Sequence, residues 1–117
     1  MGAERTDQLF SALAHASRRK MLDLVMATPG ISVKVLGSHF EVSRIAVHKH
    51  LAVLEEVELI LSKKTGRTRH LYFNSIPIQQ IHDRWATKYS AFWSERMVDI
   101  KSRVEEGIRE QKDHKSA

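Results

Sequence analysis

Cysteine is missing altogether from the 117 residues, and proline occurs only twice. Without thiols, disulfide frameworks and thiolate metal sites are excluded, and a reducing cytoplasm is compatible with the chain. Long apolar runs are missing too. The longest falls far short of a membrane span and no signal peptide is visible, so no membrane partner is expected. The opening "MGAERT" fits the loose M-G-x-x-x-[ST] pattern of myristoylation, a short pattern that chance often satisfies. Catalytic sets are also lacking. No Ser/His/Asp group, phosphate loop or acidic pair stands at a usable spacing, and the adjacent Glu55 and Glu56 read as solvated. Neither an enzyme nor a cofactor is expected.

What is present describes a small globular chain, 42% apolar and 28% charged. Its length suits one compact domain. A domain of this size buries a modest share of its surface and often gains by pairing with a copy of itself. Nineteen Lys and Arg stand against 14 Asp and Glu, a formal charge of +5 to which seven histidines can add. Such a balance suits a nucleic acid or another anionic surface, without specifying a fold. No internal repeat appears.

Apolar spacing outlines the elements. Leu9, Phe10, Leu13 and Ala14 recur with a helical period, and Thr6 or Asp7 can cap that helix. A second helix follows in "HASRRKMLDLVMATPG", with Ser17 as its cap, Met21, Leu22 and Val25 inward, and Pro29-Gly30 as its stop. Arg18, Arg19 and Lys20 fall in its first turn, where the helix dipole disfavours cations; solvent screening or a bound anion would have to relieve them. Ser32 can cap a short third helix, "VKVLGSHF", with Val33, Leu36 and Phe40 inward. Ser43 can cap a fourth, running to about Glu56. A tight turn of about three residues between them is the spacing of a helix-turn-helix. "LILSKKTGRTRHLYFN" then reads as a β-hairpin, Leu59–Lys63 and Arg69–Phe73, with a longer tip around Gly66. Pro77 opens the last helix, whose apolar stripe runs through Ile78, Ile81, Trp85, Tyr89, Phe92, Met97, Ile100, Val104 and Ile108. Some thirty residues of helix would span roughly 45 Å, more than a small domain covers. Residues 1–110 read as a single domain and 111–117 as a frayed tail.

The stretch "VSRIAVHKHL" holds two histidines, His48 and His50, on the fourth helix. With Val47, Leu51 and Leu54 as the buried stripe, Ile45, His48 and Lys49 lie opposite and His50 lies at the core boundary. The two imidazoles point about 160° apart and cannot share one ion from a regular helix. No metal site is expected there. The outward face, with Arg44 at its edge, suits entry into a DNA major groove. Arg44 and Lys49 can meet guanine or phosphate, His48 can donate to an acceptor, and Ile45 can pack on a thymine methyl. The hairpin adds Lys63, Lys64, Arg67 and Arg69 with no acid among them, a tip suited to flanking phosphates.

"ALAHASRRKML", "VSRIAVHKHLAVLEEVELI", "KKTGRTRHLYFN" and "WATKYSAFWSERM" together resemble, in order and spacing, the ArsR-type winged-helix repressors of bacteria. The likeness covers about Leu9 to Val104. It implies a mainly α winged helix-turn-helix with a small β-hairpin, whose first and last helices build a homodimer that binds operator DNA. Leu9, Phe10, Leu13, Trp85, Tyr89, Phe92 and Trp93 would form the dimer interface. Ser43, Arg44, Ile45, His48, Lys49, Lys63, Lys64, Arg67 and Arg69 would meet double-stranded DNA.

The chain departs from the family at several points. Ile45 and His48 stand where relatives often have a polar pair. Glu41 and Glu58 stand where glycine is common, so differently shaped turns are expected there. "VKVLGSH" replaces a cysteine metal motif. A second metal arrangement in the family uses Asp and His on the last helix, where this chain offers His82, Asp83, Glu105 and the distant His114. No metal is expected, and no effector is named by the sequence. The expected function is a cytoplasmic, homodimeric, sequence-specific DNA-binding repressor. The rival reading is a winged-helix protein-interaction module with only weak, sequence-blind DNA binding.

Overall fold

A computed structural model describes residues 2–116, without the side chains of 98, 99 and 109–116. Its elements are α1 (Ala3–Leu13), α2 (Ala16–Ala27), β1 (Ile31–Ser32), α3 (Val33–Gly37), α4 (Arg44–Glu56), β2 (Ile60–Thr65), β3 (Thr68–Phe73) and α5 (Ile76–Ser116). Two compact units divide the chain, Met1–Ile81 and His82–Ala117. The first holds α1 to β3 and the start of α5; the second is the remainder of α5.

In the first unit the inward faces meet in one apolar core. Leu9 and Ala12 come from α1, Met21, Leu22 and Val25 from α2, Leu36 from α3, and Val47, Leu51 and Leu54 from α4. Leu59, just before β2, and Ile60 and Leu71 from the sheet close it. Each large side chain so buried contributes about 1.5–3 kcal/mol relative to exposure. The faces expected for α2 and α4 are the buried ones.

Ser32 and Ser43 cap α3 and α4 as expected, their hydroxyls accepting from the amides of Val35 and Ala46. The other two caps lie elsewhere. Helix α1 begins at Ala3 behind Gly2, so Thr6 is inside it, donating its hydroxyl to the Gly2 carbonyl. Helix α2 is capped by His15, whose Nδ1 accepts from the amide of Ser17 at 3.3 Å. An imidazole nitrogen supplies the acceptor that Ser17 was expected to provide. Helix α3 stops at Gly37, so residues 38–43 make a longer connection to α4 than the expected turn.

Two of the three cations at the start of α2, Arg18 and Arg19, meet the end of α1. Arg18 donates from Nε to the Ala12 carbonyl at 2.8 Å and from Nη2 to the Ser11 carbonyl at 3.1 Å. Arg19 donates to the Leu13 carbonyl at 2.6 Å. These carbonyls belong to the last turn of α1, the negative end of its dipole. One helix end therefore neutralises a conflict at the start of the next.

The sheet has three antiparallel strands in the order β1-β3-β2, one more than the expected hairpin. Ile31 faces Leu71, and Thr65 faces Thr68. The hairpin loop is therefore two residues, Gly66 and Arg67, shorter than expected. Gly66 has φ 62°, and glycine first in a two-residue loop is the pattern of a type II′ turn.

At Glu58 the turn is not reshaped to suit glutamate. The residue takes φ 61° itself, the left-handed region that glycine favours. Its carboxylate pairs with Arg5 at 2.6 Å, and its carbonyl accepts from Asn74 Nδ2 at 2.9 Å. A left-handed L-residue costs about 1–2 kcal/mol, while an exposed ion pair returns about 0–1 kcal/mol. Glu58→Gly is therefore expected to stabilise the protein by about 0.5–1 kcal/mol. The check is a urea midpoint that rises at an unchanged slope.

Helix α5 spans 41 residues, against the thirty or so expected, and takes in residues 111–116. Pro77 stands in its first turn, where its missing N–H breaks no helical bond.

Candidate nucleic-acid interface

Helix α4 divides as its periodicity requires. Val47, Leu51 and Leu54 are buried, while Arg44, Ile45, His48 and Lys49 are exposed, Ile45 by 69%. Ser43 is engaged in capping, its hydroxyl accepting from Ala46 N at 3.1 Å. No acid stands in the first turn of α4, so its positive dipole end is not neutralised from within.

The hairpin cations lie on two faces of the ribbon. Lys64 is opposite Arg69, on the face that carries the buried Ile60 and Leu71. Lys63 is opposite His70, on the other face. Like charges directly opposite repel. Arg69 is held by an ion pair with Glu55 of α4 and by the Ser62 hydroxyl at 3.3 Å. It is half-buried, whereas Lys63, Lys64 and Arg67 are exposed. An acid from α4, distant in sequence, reaches the cationic hairpin and ties it to the helix.

Between α3, α4 and the hairpin lies an open groove of about 580 Å³. Lys34, Arg44, His48, Arg67 and Arg69 line it, and no carboxylate does. The sequence reading had four of these five. Lys34, in the first turn of α3, was missed; its signal was a cation two residues after the Ser32 cap. Ile45, Lys49, Lys63 and Lys64 lie outside the groove lining.

His50 is at the core edge, pointing away from this groove. Its Nδ1 lies 3.3 Å from Arg18 Nη1, and its ring centroid is 4.5 Å from that of His15. Burial, then the charges of His15 and Arg18, hold its pKa below the usual histidine value.

The residues expected at a dimer interface do not share one environment. Leu9 is only 1% exposed inside its own unit and has no surface to offer a partner; this corrects its assignment. Leu13 is half-buried against the core, and Phe10 is exposed. In the second unit Trp85, Tyr89, Phe92 and Trp93 are all exposed. Trp93 meets Tyr89 and Phe92 edge-on, and the Arg96 guanidinium lies 4.1 Å from the Phe92 ring centre. His82 Nδ1 is 3.5 Å from Asp83 Oδ1, and Glu105 pairs with Lys101. His114 lies outside the described side chains.

A helix-turn-helix with a β-wing beside it, flanking a cationic groove, defines a winged-helix protein of the DNA-binding type. Comparison with known proteins agrees, although no family model matches. The HTH-type transcriptional regulator YuzN of Bacillus subtilis (strain 168) is 31% identical over 85 residues, covering 68% of this chain and 92% of the relative. The transcriptional repressor SdpR of the same organism is 26% identical over 73 residues, 62% of this chain and 80% of the relative. The structure of an ArsR-like transcriptional regulator from Rhodococcus sp. RHA1 superposes with a TM-score of 0.66 at 26% identity, covering 85% of this chain and 92% of that one. The chain belongs to the ArsR family of transcriptional regulators.

Proposed function

We propose that the protein is a homodimeric repressor that binds a specific operator in the cytoplasm. The observation that carries the reading is the groove lined by Lys34, Arg44, His48, Arg67 and Arg69 without a carboxylate. Arg69 already meets Glu55; for Lys34, Arg44, His48 and Arg67 a duplex backbone supplies anions. In this reading the start of α4 enters a major groove. Arg44 and Lys49 meet guanine or phosphate, His48 donates to a base edge, and Ile45 packs on a thymine methyl. Arg67, Lys63 and Lys64 hold flanking phosphates, and Arg69 sets the wing against α4. The dimer is supported by apolar side chains left exposed, Phe10 in the first unit and Trp85, Tyr89, Phe92 and Trp93 in the second. The repressor role is supported by the likeness to the transcriptional repressor SdpR.

Selection of bound fragments from random duplex DNA tests the reading. The expected product is an inverted repeat with half-site centres about 10–10.5 base pairs apart, or a multiple of that spacing. Weak binding with no enriched sequence, or a single half-site bound by a monomer, would reject it.

A further inference from the structure

The junction of α1, α2 and α4 is built around two imidazoles and one guanidinium that the DNA contacts do not use. Arg18 is anchored to the Ala12 and Ser11 carbonyls of α1. Its remaining nitrogen, Nη1, faces His50 Nδ1 at 3.3 Å. A guanidinium only donates, so His50 Nδ1 must be the acceptor and the ring proton belongs on Nε2. His15 is under the same constraint, because its Nδ1 accepts the Ser17 amide that starts α2. Both rings must therefore be neutral for this junction to form as it stands, and they lie in contact, 4.5 Å between centroids.

We propose that His15, His50 and Arg18 form an acid-sensitive latch on the DNA-reading helix, closed while both imidazoles are neutral and opened by a proton. The proposal rests on the DNA-binding reading and adds regulation to it. Protonating His50 sets a donor against a donor and puts a second positive charge beside Arg18, against the His15 ring. From α1 the junction offers only carbonyls already bound to Arg18 and Arg19. From α2 it offers Arg18 itself, with His15 at the cap. From the wing, the Arg69 charge is matched by Glu55 further along α4. The charges acting on His50 are those of His15 and Arg18, both of which oppose its proton. A proton there pushes α4 from the α1–α2 corner that supports it, two residues from His48.

The sign is opposite to the simple electrostatic one. Added positive charge on a surface facing DNA strengthens binding. Opening the latch weakens it. His50 has its folded-state pKa lowered, so the stabilisation from its neutral form is complete above the ordinary histidine value of about 6.5 and is lost as pH falls through the lower folded value.

The experiment measures affinity for the duplex recovered by selection, from about pH 7.5 to about pH 5.5, across the histidine range. Wild-type affinity is expected to fall about threefold to fivefold by the acid end of that range, on the way to the tenfold limit set by a one-unit difference in His50 pKa between free and bound protein. His50→Asn keeps an uncharged acceptor near the Nδ1 position. Its affinity is expected to hold or rise over the same range. Identical pH profiles for the two proteins overturn the latch. A second measurement needs only wild-type protein. Histidine NMR titration should place the His50 midpoint lower in the complex than in the free protein, because linkage is reciprocal; an equal or higher midpoint overturns it. Absence of any binding near neutral pH removes the DNA reading and the latch together. Binding that is insensitive to His50 removes the latch alone.

Discussion

Alanine at both Arg44 and Arg67 is expected to weaken duplex binding at least about a hundredfold, since a hydrogen bond to a charged group is worth about 1.5–3 kcal/mol. These two side chains reach the groove from different elements, the start of α4 and the tip of the wing. Both are exposed and neither belongs to the core, so thermal stability should be nearly unchanged. Affinity measured against salt separates their roles. Each phosphate contact removed lowers the slope of log affinity against log salt by about 0.9. If both arginines neutralise phosphates, the slope falls by about 2 and all sequences weaken alike. If Arg44 reads a guanine, the slope falls by about 1 and discrimination at one position is lost. A double variant that binds like the wild type, with an unaltered slope, would reject the groove as the DNA site.

Leu54→Ala is the substitution expected to cost most in stability. Leu54 is 0% exposed, on the buried stripe of α4 and within the single core cluster. Truncating a buried leucine costs about 2–5 kcal/mol, part lost transfer energy and part residual cavity. A domain of this size has roughly 5–15 kcal/mol in all. A loss of about 3 kcal/mol corresponds to roughly 12–24 °C in Tm for a domain of 60–100 residues. Circular dichroism melting gives the result directly. A drop of only a degree or two would mean that α4 does not press this face into the core. The outward face would then have no fixed direction. The same helix thus carries both tests, its inner side in stability and its outer side in affinity.

Much of the candidate site was legible because helical period is a local property. Val47, Leu51 and Leu54 recur at steps of three and four, and that alone turns Ile45, His48 and Lys49 outward. Ser32 and Ser43 were legible for the same reason, since a capping hydroxyl bonds an amide three residues on. Leu9 was misassigned because a stripe read from α1 alone does not say which of its apolar residues meets α2 and which meets another surface. The two-residue loop at Gly66 was misjudged because strand length depends on pairing. Lys64, Thr65 and Thr68 look like loop residues until Lys64 pairs with Arg69 and Thr65 with Thr68.

The sequence by itself determined the helix-turn-helix, the wing, the inward and outward faces of α4, and the family likeness. Each is written in spacings of a few residues. Only the tertiary structure decided that Arg69 answers to Glu55, that Lys34 joins the groove, and that Arg18 links the end of α1 to His50. Those partners lie 14 residues apart for Arg69 and Glu55, and 32 for Arg18 and His50. No periodicity relates positions so separated. Their meeting is set by how the core draws the helices together, and a charged side chain then takes whichever acceptor that packing leaves within reach.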